Sequence, residues 1–207
     1  MNALILLVLM QFPTDVFENS GAFKKLDQSD GVTMSKRDVK GSVFAEYRAE
    51  LTSPNTVEQF CVAVFEWGST SNDGPGVTLN KLLKDEENRR VIYQQIAQPL
   101  VSRRDYAMTL ARERLPDGSC RLRFRSTNDE APPKPADFVR IEKLWGEWRF
   151  EANPAGGTKI TYTLFSDPAG DIPSFIVHGA LRSSTRDAAL MGVKKTKQYV
   201  ESPGAKL

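Results

Sequence analysis

His178 is the chain's single histidine, and that alone removes several chemistries. A histidine-based zinc centre needs two or more imidazoles, and a nucleophilic triad could draw on only this one. No G-x-S-x-G elbow, Walker A loop or dinucleotide fingerprint occurs; Gly74-Pro75-Gly76 and Gly156-Gly157 are turns without the strand and helix those motifs require. Cys61 and Cys120 are too few for a disulfide framework and too isolated for a metal site. They read as two small buried hydrophobes, with a single disulfide as the alternative. The sequence therefore assigns no catalytic residue, metal or cofactor. What stands out is Arg104 within Pro99–Leu110, PLVSRRDYAMTL. In a strand, alternation puts Arg104, Tyr106, Met108 and Leu110 on one face and Asp105, Ala107, Thr109 and Ala111 on the other. With the apolar face turned inward, Arg104 is a charge kept inside a hollow, and it needs a partner or a polar ligand group. His178 reads as structural or ligand-lining, with acid–base work as the alternative.

The elements that must position these residues follow from periodicity. Thr14–Leu26, with Val16, Phe17, Phe23 and Leu26 interrupted by Ser20-Gly21, reads as a broken helix. Ser29-Asp30-Gly31 is a turn signal before two strands, Val32–Val39 and Ser42–Leu51, the second with Val43, Ala45, Tyr47, Ala49 and Leu51 on one face. Thr56 with Gln59 is a capping box that opens a helix carrying Val57, Phe60, Cys61, Val64 and Phe65 at a 3.6-residue period and ending at Trp67-Gly68. A polar loop, Ser69–Gly76, leads to a short helical turn at Val77–Leu83. Strands follow at Arg89–Ile96, Arg103–Leu115, Ser119–Asn128, Phe138–Phe150 and Lys159–Ser166, with connections too short for crossover helices, so the sheet is antiparallel. A long helix from about Pro173 to Val200, capped at Asp171 or Ile172, turns Val177, Leu181, Ser184, Ala188 and Met191 inward, flanked by Gly179, Ala180 and Gly192. Small residues on that face mean close packing or room left for something other than protein.

Composition fits one domain: 207 residues, 40% hydrophobic, with 28 Lys+Arg against 26 Asp+Glu for a net charge of +2. Such a balance gives no electrostatic footprint for nucleic acid. Arg121, Arg123 and Arg125 alternate with Cys120, Leu122 and Phe124 and form an outward face paired with carboxylates such as Glu113. The apolar run Ala3–Met10 is too short to span a bilayer. It has the length of a signal-peptide core but no basic flank or A-x-A-like site. Export or cell-envelope placement follows if residues 1–10 act as a signal, and the cytoplasm otherwise. The organisation read is an N-terminal segment (1–19), one domain (20–201) and a tail (202–207).

Collinear motifs carry a family resemblance. They are Asp30-Gly31-Val32, Pro99–Tyr106, Val139-Arg140-Ile141 followed by Trp145-Gly146-Glu147-Trp148, Gly157–Tyr162, and Asp167–Pro173 leading into the last helix. Over about residues 20 to 200 the chain resembles the START domain, the lipid-transfer module related to the steroidogenic acute regulatory protein. The resemblance implies an α+β helix-grip fold: a curved antiparallel sheet wrapped on a long C-terminal helix, enclosing a hydrophobic tunnel for one sterol, phospholipid or similar lipid. It implies a carrier and not an enzyme; a monomer with transient membrane-surface contact is expected beside it, and no nucleic-acid partner, as the charge balance already indicates. Similar members carry an arginine at the position of Arg104 and often an acidic partner earlier in the chain, which falls here at Asp85 or Glu86. The ligand-lining set expected is Arg104, Glu86, Asp85, Tyr106, Met108, Tyr47, Val177, His178, Leu181 and Ser184. The tunnel mouth is expected between the Pro116-Asp117-Gly118 turn, the Ala131–Ala136 loop and the N-terminal half of the last helix. The alternative is a helix-grip cyclase or hydrolase using His178 and Arg104, which a cavity rich in convergent polar groups beside His178 would favour.

Overall fold

The computed structural model describes residues 21–98 and 101–203. The elements in order are β1 (Lys24–Ser29), β2 (Val32–Asp38), β3 (Ala45–Ser53), α1 (Val57–Thr70), β4 (Val77–Glu86), β5 (Arg89–Ile96), β6 (Arg103–Arg114), β7 (Cys120–Ser126), β8 (Phe138–Arg140), β9 (Lys143–Ala152), β10 (Thr158–Asp167) and α2 (Ser174–Glu201). One sheet runs β1-β2-β3-β10-β9-β7-β6-β5-β4, and β8 pairs off this path with β6. It curves around α2, and α1 packs against α2 and the strands β4, β6, β7 and β9. This is the α+β helix-grip arrangement.

Local chemistry accounts for the frame. Asp30 and Gly31 both take positive φ, 49° and 75°, and close the β1–β2 hairpin as a two-residue turn. The Thr56 hydroxyl accepts from the Gln59 amide while the Gln59 side chain accepts from the Thr56 amide, so the capping box starts α1. Phe60, Cys61, Val64 and Phe65 are fully buried beneath it, Phe60 stacked on Phe150 of β9. In α2 the buried face is Val177, Leu181, Thr185, Ala188, Ala189, Gly192 and Thr196. Thr185 and Thr196 return their hydroxyls to the carbonyls of Leu181 and Gly192, which makes their burial inexpensive. Ser184 and Met191 are only half-buried.

Several expectations need correction. Lys24–Leu26 belongs to a strand, because the Asp30-Gly31 turn folds it back on β2; Phe23 lies under the guanidinium groups of Arg37 and Arg48. Residues 14–20, the Ala3–Met10 run and Pro99-Leu100 lie outside the described residues. Val77–Leu83 is part of β4 and not a helical turn. Register shifts between Val77 and Leu79 and between Leu82 and Lys84 break its alternation, which gave the apolar spacing a helical look. Phe138–Phe150 is two strands: β8 pairs parallel with Arg103–Asp105, and β9 starts afresh at Lys143 between β7 and β10. Helix α1 runs on past Trp67-Gly68 to Thr70, and Pro173 itself occupies the cap position of α2. The two cysteines are buried, as expected, but bonded: α1 crosses β7 with the Cα atoms of Cys61 and Cys120 5.8 Å apart, and a disulfide joins them.

Candidate functional site

Between the inner face of the sheet, the end of α1 and the first half of α2 lies a cavity of about 230 Å³. Strand alternation builds its floor. Arg104, Tyr106, Met108 and Leu110 of β6 all face it, continued by Leu122 and Phe124 of β7 and by Leu144 and Trp148 of β9. From α2 come Ile176, Val177, Ala180, Leu181, Ser184 and Ala188. Two glycines make room for the aromatic wall. A β-carbon on Gly192 would stand 2.8 Å from the Trp148 ring, and one on Gly146 would collide with the Phe124 ring. Trp148 and Tyr162 lie with ring centroids 4.2 Å apart, and Phe124 stacks on the other flank of Tyr162.

Arg104 is the only charged residue among the described cavity walls, and it is 5% exposed. Its guanidinium donates to three backbone carbonyls, those of Ser102, Pro168 (3.4 Å) and Ala169 (3.4 Å). The Pro168–Ile172 loop presents two of these because Ala169 and Gly170 both adopt left-handed backbone, φ 54° and 72°, and the Asp167 carboxylate accepts from the Ala169 amide. Among the described residues no carboxylate forms an ion pair with Arg104. Burial lowers its pKa, and no neighbouring acid opposes that shift.

A second polar feature is a relay. The Tyr106 hydroxyl donates to Gln94 at 2.5 Å, the Gln94 amide donates to Asn80 at 3.1 Å, and Asn80 donates to the Ser71 carbonyl at 2.9 Å. It links β6, β5 and β4 to the C-cap of α1. Tyr162 differs: it is 7% exposed, and its hydroxyl has no hydrogen-bond partner among the described residues. Burial pushes the pKa of both tyrosines far up, so both phenols stay protonated.

Of the expected ligand-lining residues, Arg104, Tyr106, Met108, Val177, Leu181 and Ser184 meet at this cavity. Asp85 and Glu86 do not. The β4–β5–β6 register sets Val77 beside Ile96 and Ile96 beside Arg104, which carries residues 85 and 86 to the opposite end of the sheet. There Asp85 pairs with Arg90 at 2.7 Å and Glu86 with Arg89 at 3.3 Å, both acids exposed. Tyr47 and His178 are not among the cavity walls either. The Tyr47 hydroxyl and His178 Nδ1 are 3.0 Å apart, and Tyr47 belongs to a separate cluster with Ala45, Val177 and Leu181. The α2 side chain at 178 points to that flank, one residue's rotation away from Val177. Of the expected mouth, only the first half of α2 lines the cavity. Neither Pro116-Asp117-Gly118 nor Ala131–Ala136 contributes to the walls, whereas Ser71, Gly74, Pro75, Pro168, Ile172 and Ile176 do. Sequence reasoning missed Gln94, Trp148 and Tyr162. Alternation held the signal for two of them, since Gln94 lies between Ile92 and Ile96 on one face of RRVIYQQI and Tyr162 between Ile160 and Leu164 in KITYTLF.

Comparison with known proteins agrees with this geometry. A family model described as the START domain matches residues 76–206. An uncharacterized Pseudomonas aeruginosa protein, PA1579, is 26% identical over 186 residues, covering 86% of this chain and 87% of its own. Among solved structures, the STAR-related lipid transfer protein fragment from Xanthomonas axonopodis superposes with a TM-score of 0.72 at 22% identity, over 88% of this chain and 100% of that one. Human StAR-related lipid transfer protein 5 gives 0.68 at 20% identity, covering 86% and 88%. The Zhui aromatase/cyclase from a Streptomyces species shares the fold at 0.51 and 12% identity, over 78% and 98%. With its model spanning β4 through α2, most of the elements around the cavity, the chain belongs to the START domain family.

Proposed function

We propose that this protein is a lipid carrier that holds one apolar ligand beneath α2 and transfers it without performing chemistry on it. One observation carries the reading: a mostly apolar cavity between the sheet and α2 whose charged lining, among the described residues, is a single arginine. Sequestering about 400 Å² of apolar ligand surface contributes on the order of 10 kcal/mol before association and ordering costs, so tight binding requires no catalytic group. Loading would proceed between the start of α2 and the Pro168–Ile172 and Ser71–Pro75 loops. Phe175, 75% exposed, sits next to cavity-lining Ile176 and supports transient contact of that end with a membrane surface. The cyclase-like alternative depends on His178 acting in the cavity. Its bond to Tyr47 on the other flank of α2 speaks against that role. Mass spectrometry of small molecules that co-purify with the full chain tests the carrier reading. A stoichiometric lipid released on denaturation is expected; a protein that neither retains lipid nor takes it up from vesicles overturns it.

A further inference from the structure

Three of the walls around the cavity differ in what holds them. On the carrier reading above, on which this inference rests, one of them opens to admit the ligand. The first half of α2 is seated by large apolar side chains: Val177 and Leu181 are 3% and 8% exposed, so lifting the helix would bare them to water. The Pro168–Ile172 loop is tied from within, since the carbonyls of Pro168 and Ala169 accept from the buried Arg104 guanidinium. The third wall is the connection from α1 to β4, Ser71–Gly76. Its sequence, SNDGPG, holds no aromatic or branched aliphatic side chain, yet Ser71, Gly74 and Pro75 line the cavity. Moving it uncovers little apolar surface of its own.

Both ends of this connection are pinned. The Ser71 carbonyl accepts from the Asn80 side-chain amide at 2.9 Å. The Gly76 carbonyl accepts from the Ala97 amide at 2.9 Å, with Gly76 itself in left-handed backbone, φ 73°. Between these pins an ion pair, Asp73 with Lys195, links the loop to α2. The Lys195 ammonium beside it holds the Asp73 carboxyl below its ordinary pKa, so the pair is charged at neutral pH. The Asp73 side chain is 56% exposed. A contact in that setting is weak and screened by salt, unlike the bonds to a buried guanidinium. We propose that Ser71–Gly76 is a strap over the cavity, clasped to α2 by Asp73 and Lys195, and that release of this clasp admits the ligand.

The test is stopped-flow uptake by the delipidated full chain of two probes without net charge, Nile red from solution and pyrene-labelled phosphatidylcholine from phosphatidylcholine vesicles. Trp67 and Trp148 on the cavity wall report entry by energy transfer. Asp73→Lys and Lys195→Asp each replace attraction with repulsion; both should speed uptake and release at least about twofold, far more than they change equilibrium affinity. The double swap, Asp73→Lys with Lys195→Asp, should return to the wild-type rate. Raising ionic strength from about 0.01 M to about 1 M should speed wild-type uptake, and that dependence should vanish in Asp73→Asn. Rates unmoved by either reversal, or not restored by the swap, overturn the inference and leave the carrier reading standing. So does wild-type uptake no more salt-dependent than that of Asp73→Asn, a comparison that requires neither reversal to fold. A chain that takes up neither probe overturns the carrier reading itself.

Discussion

Gly192 and Trp148 touch across the α2–β9 interface so closely that a β-carbon at 192 would lie 2.8 Å from the indole ring. The ring is also cavity wall, so the glycine sets the cavity's shape. Two effects compete in Gly192→Ala. Alanine in a helix interior is favoured over glycine by about 1 kcal/mol, whereas overpacking costs about 1–3 kcal/mol. The clash is with a ring boxed in by Tyr162, Phe150 and Trp67, so it wins. Net destabilisation of about 1 kcal/mol is expected in denaturant titration, with a change in tryptophan emission as the indole is displaced. Gly179 on the same helix has nothing within 4 Å of its would-be β-carbon. Gly179→Ala should stabilise by up to about 1 kcal/mol, and a matching gain at Gly192 would refute the packing argument.

Tyr106 and Tyr162 make an opposed pair of deletions. Tyr106→Phe removes a hydrogen bond and strands the Gln94 oxygen, which costs about 1–3 kcal/mol. Tyr162→Phe removes a hydroxyl on the cavity wall that makes no hydrogen bond to the described residues, so the empty protein should change by about 1 kcal/mol at most. Thermal unfolding of delipidated protein measures both. A destabilised Tyr162→Phe would mean that the hydroxyl has a partner in solution.

The parts of this molecule written in local sequence were legible before any coordinates. Thr56 and Gln59 cap α1 because the capping box spans a single turn. Arg104, Tyr106 and Met108 share a face because alternation is a property of one strand. What required the fold was anything that depends on how separate segments meet. The β4–β5–β6 register decides which residues reach the Arg104 end of the sheet, so counting along the chain placed Asp85 and Glu86 at the wrong end. The Cys61–Cys120 bond depends on where α1 crosses β7. What His178 meets depends on the rotation of α2 over the sheet: Val177 lines the cavity, whereas His178, one residue on, meets the Tyr47 hydroxyl instead.

That disulfide closes a loop between positions 59 apart, which corresponds to about 4 kcal/mol of stabilisation in the chain-entropy account. Cys61→Ala with Cys120→Ala should lower unfolding free energy by a few kcal/mol, and a reductant should bring wild type to a similar midpoint. Intact-mass measurement before and after reduction reports whether the bond is present. Such a bond persists in oxidising compartments, so protein made in a reducing cytoplasm is expected to carry free thiols and the lower stability. Oxidised and reduced samples with the same midpoint would remove the disulfide from the stability of this fold.

Glu46 gives the sharpest pH dependence. Its side chain is fully buried; one carboxylate oxygen accepts from Arg37 and the other has no hydrogen-bond partner among the described residues. Burial raises its pKa and outweighs the opposing pull of Arg37, Thr163 and Arg48. The folded protein thus holds this proton more tightly than the unfolded chain. The resulting stability is fully present below the unfolded value near 4.5 and is lost as pH rises through the higher folded pKa. Glu46→Gln keeps an oxygen for Arg37 and removes the titration. Denaturant midpoints measured from pH 4 upward should fall more steeply for wild type than for Glu46→Gln over that window, and the two curves should run parallel above it. Parallel curves throughout would show that Glu46 is already ionised at the acid end, with Arg37 and not burial governing its proton.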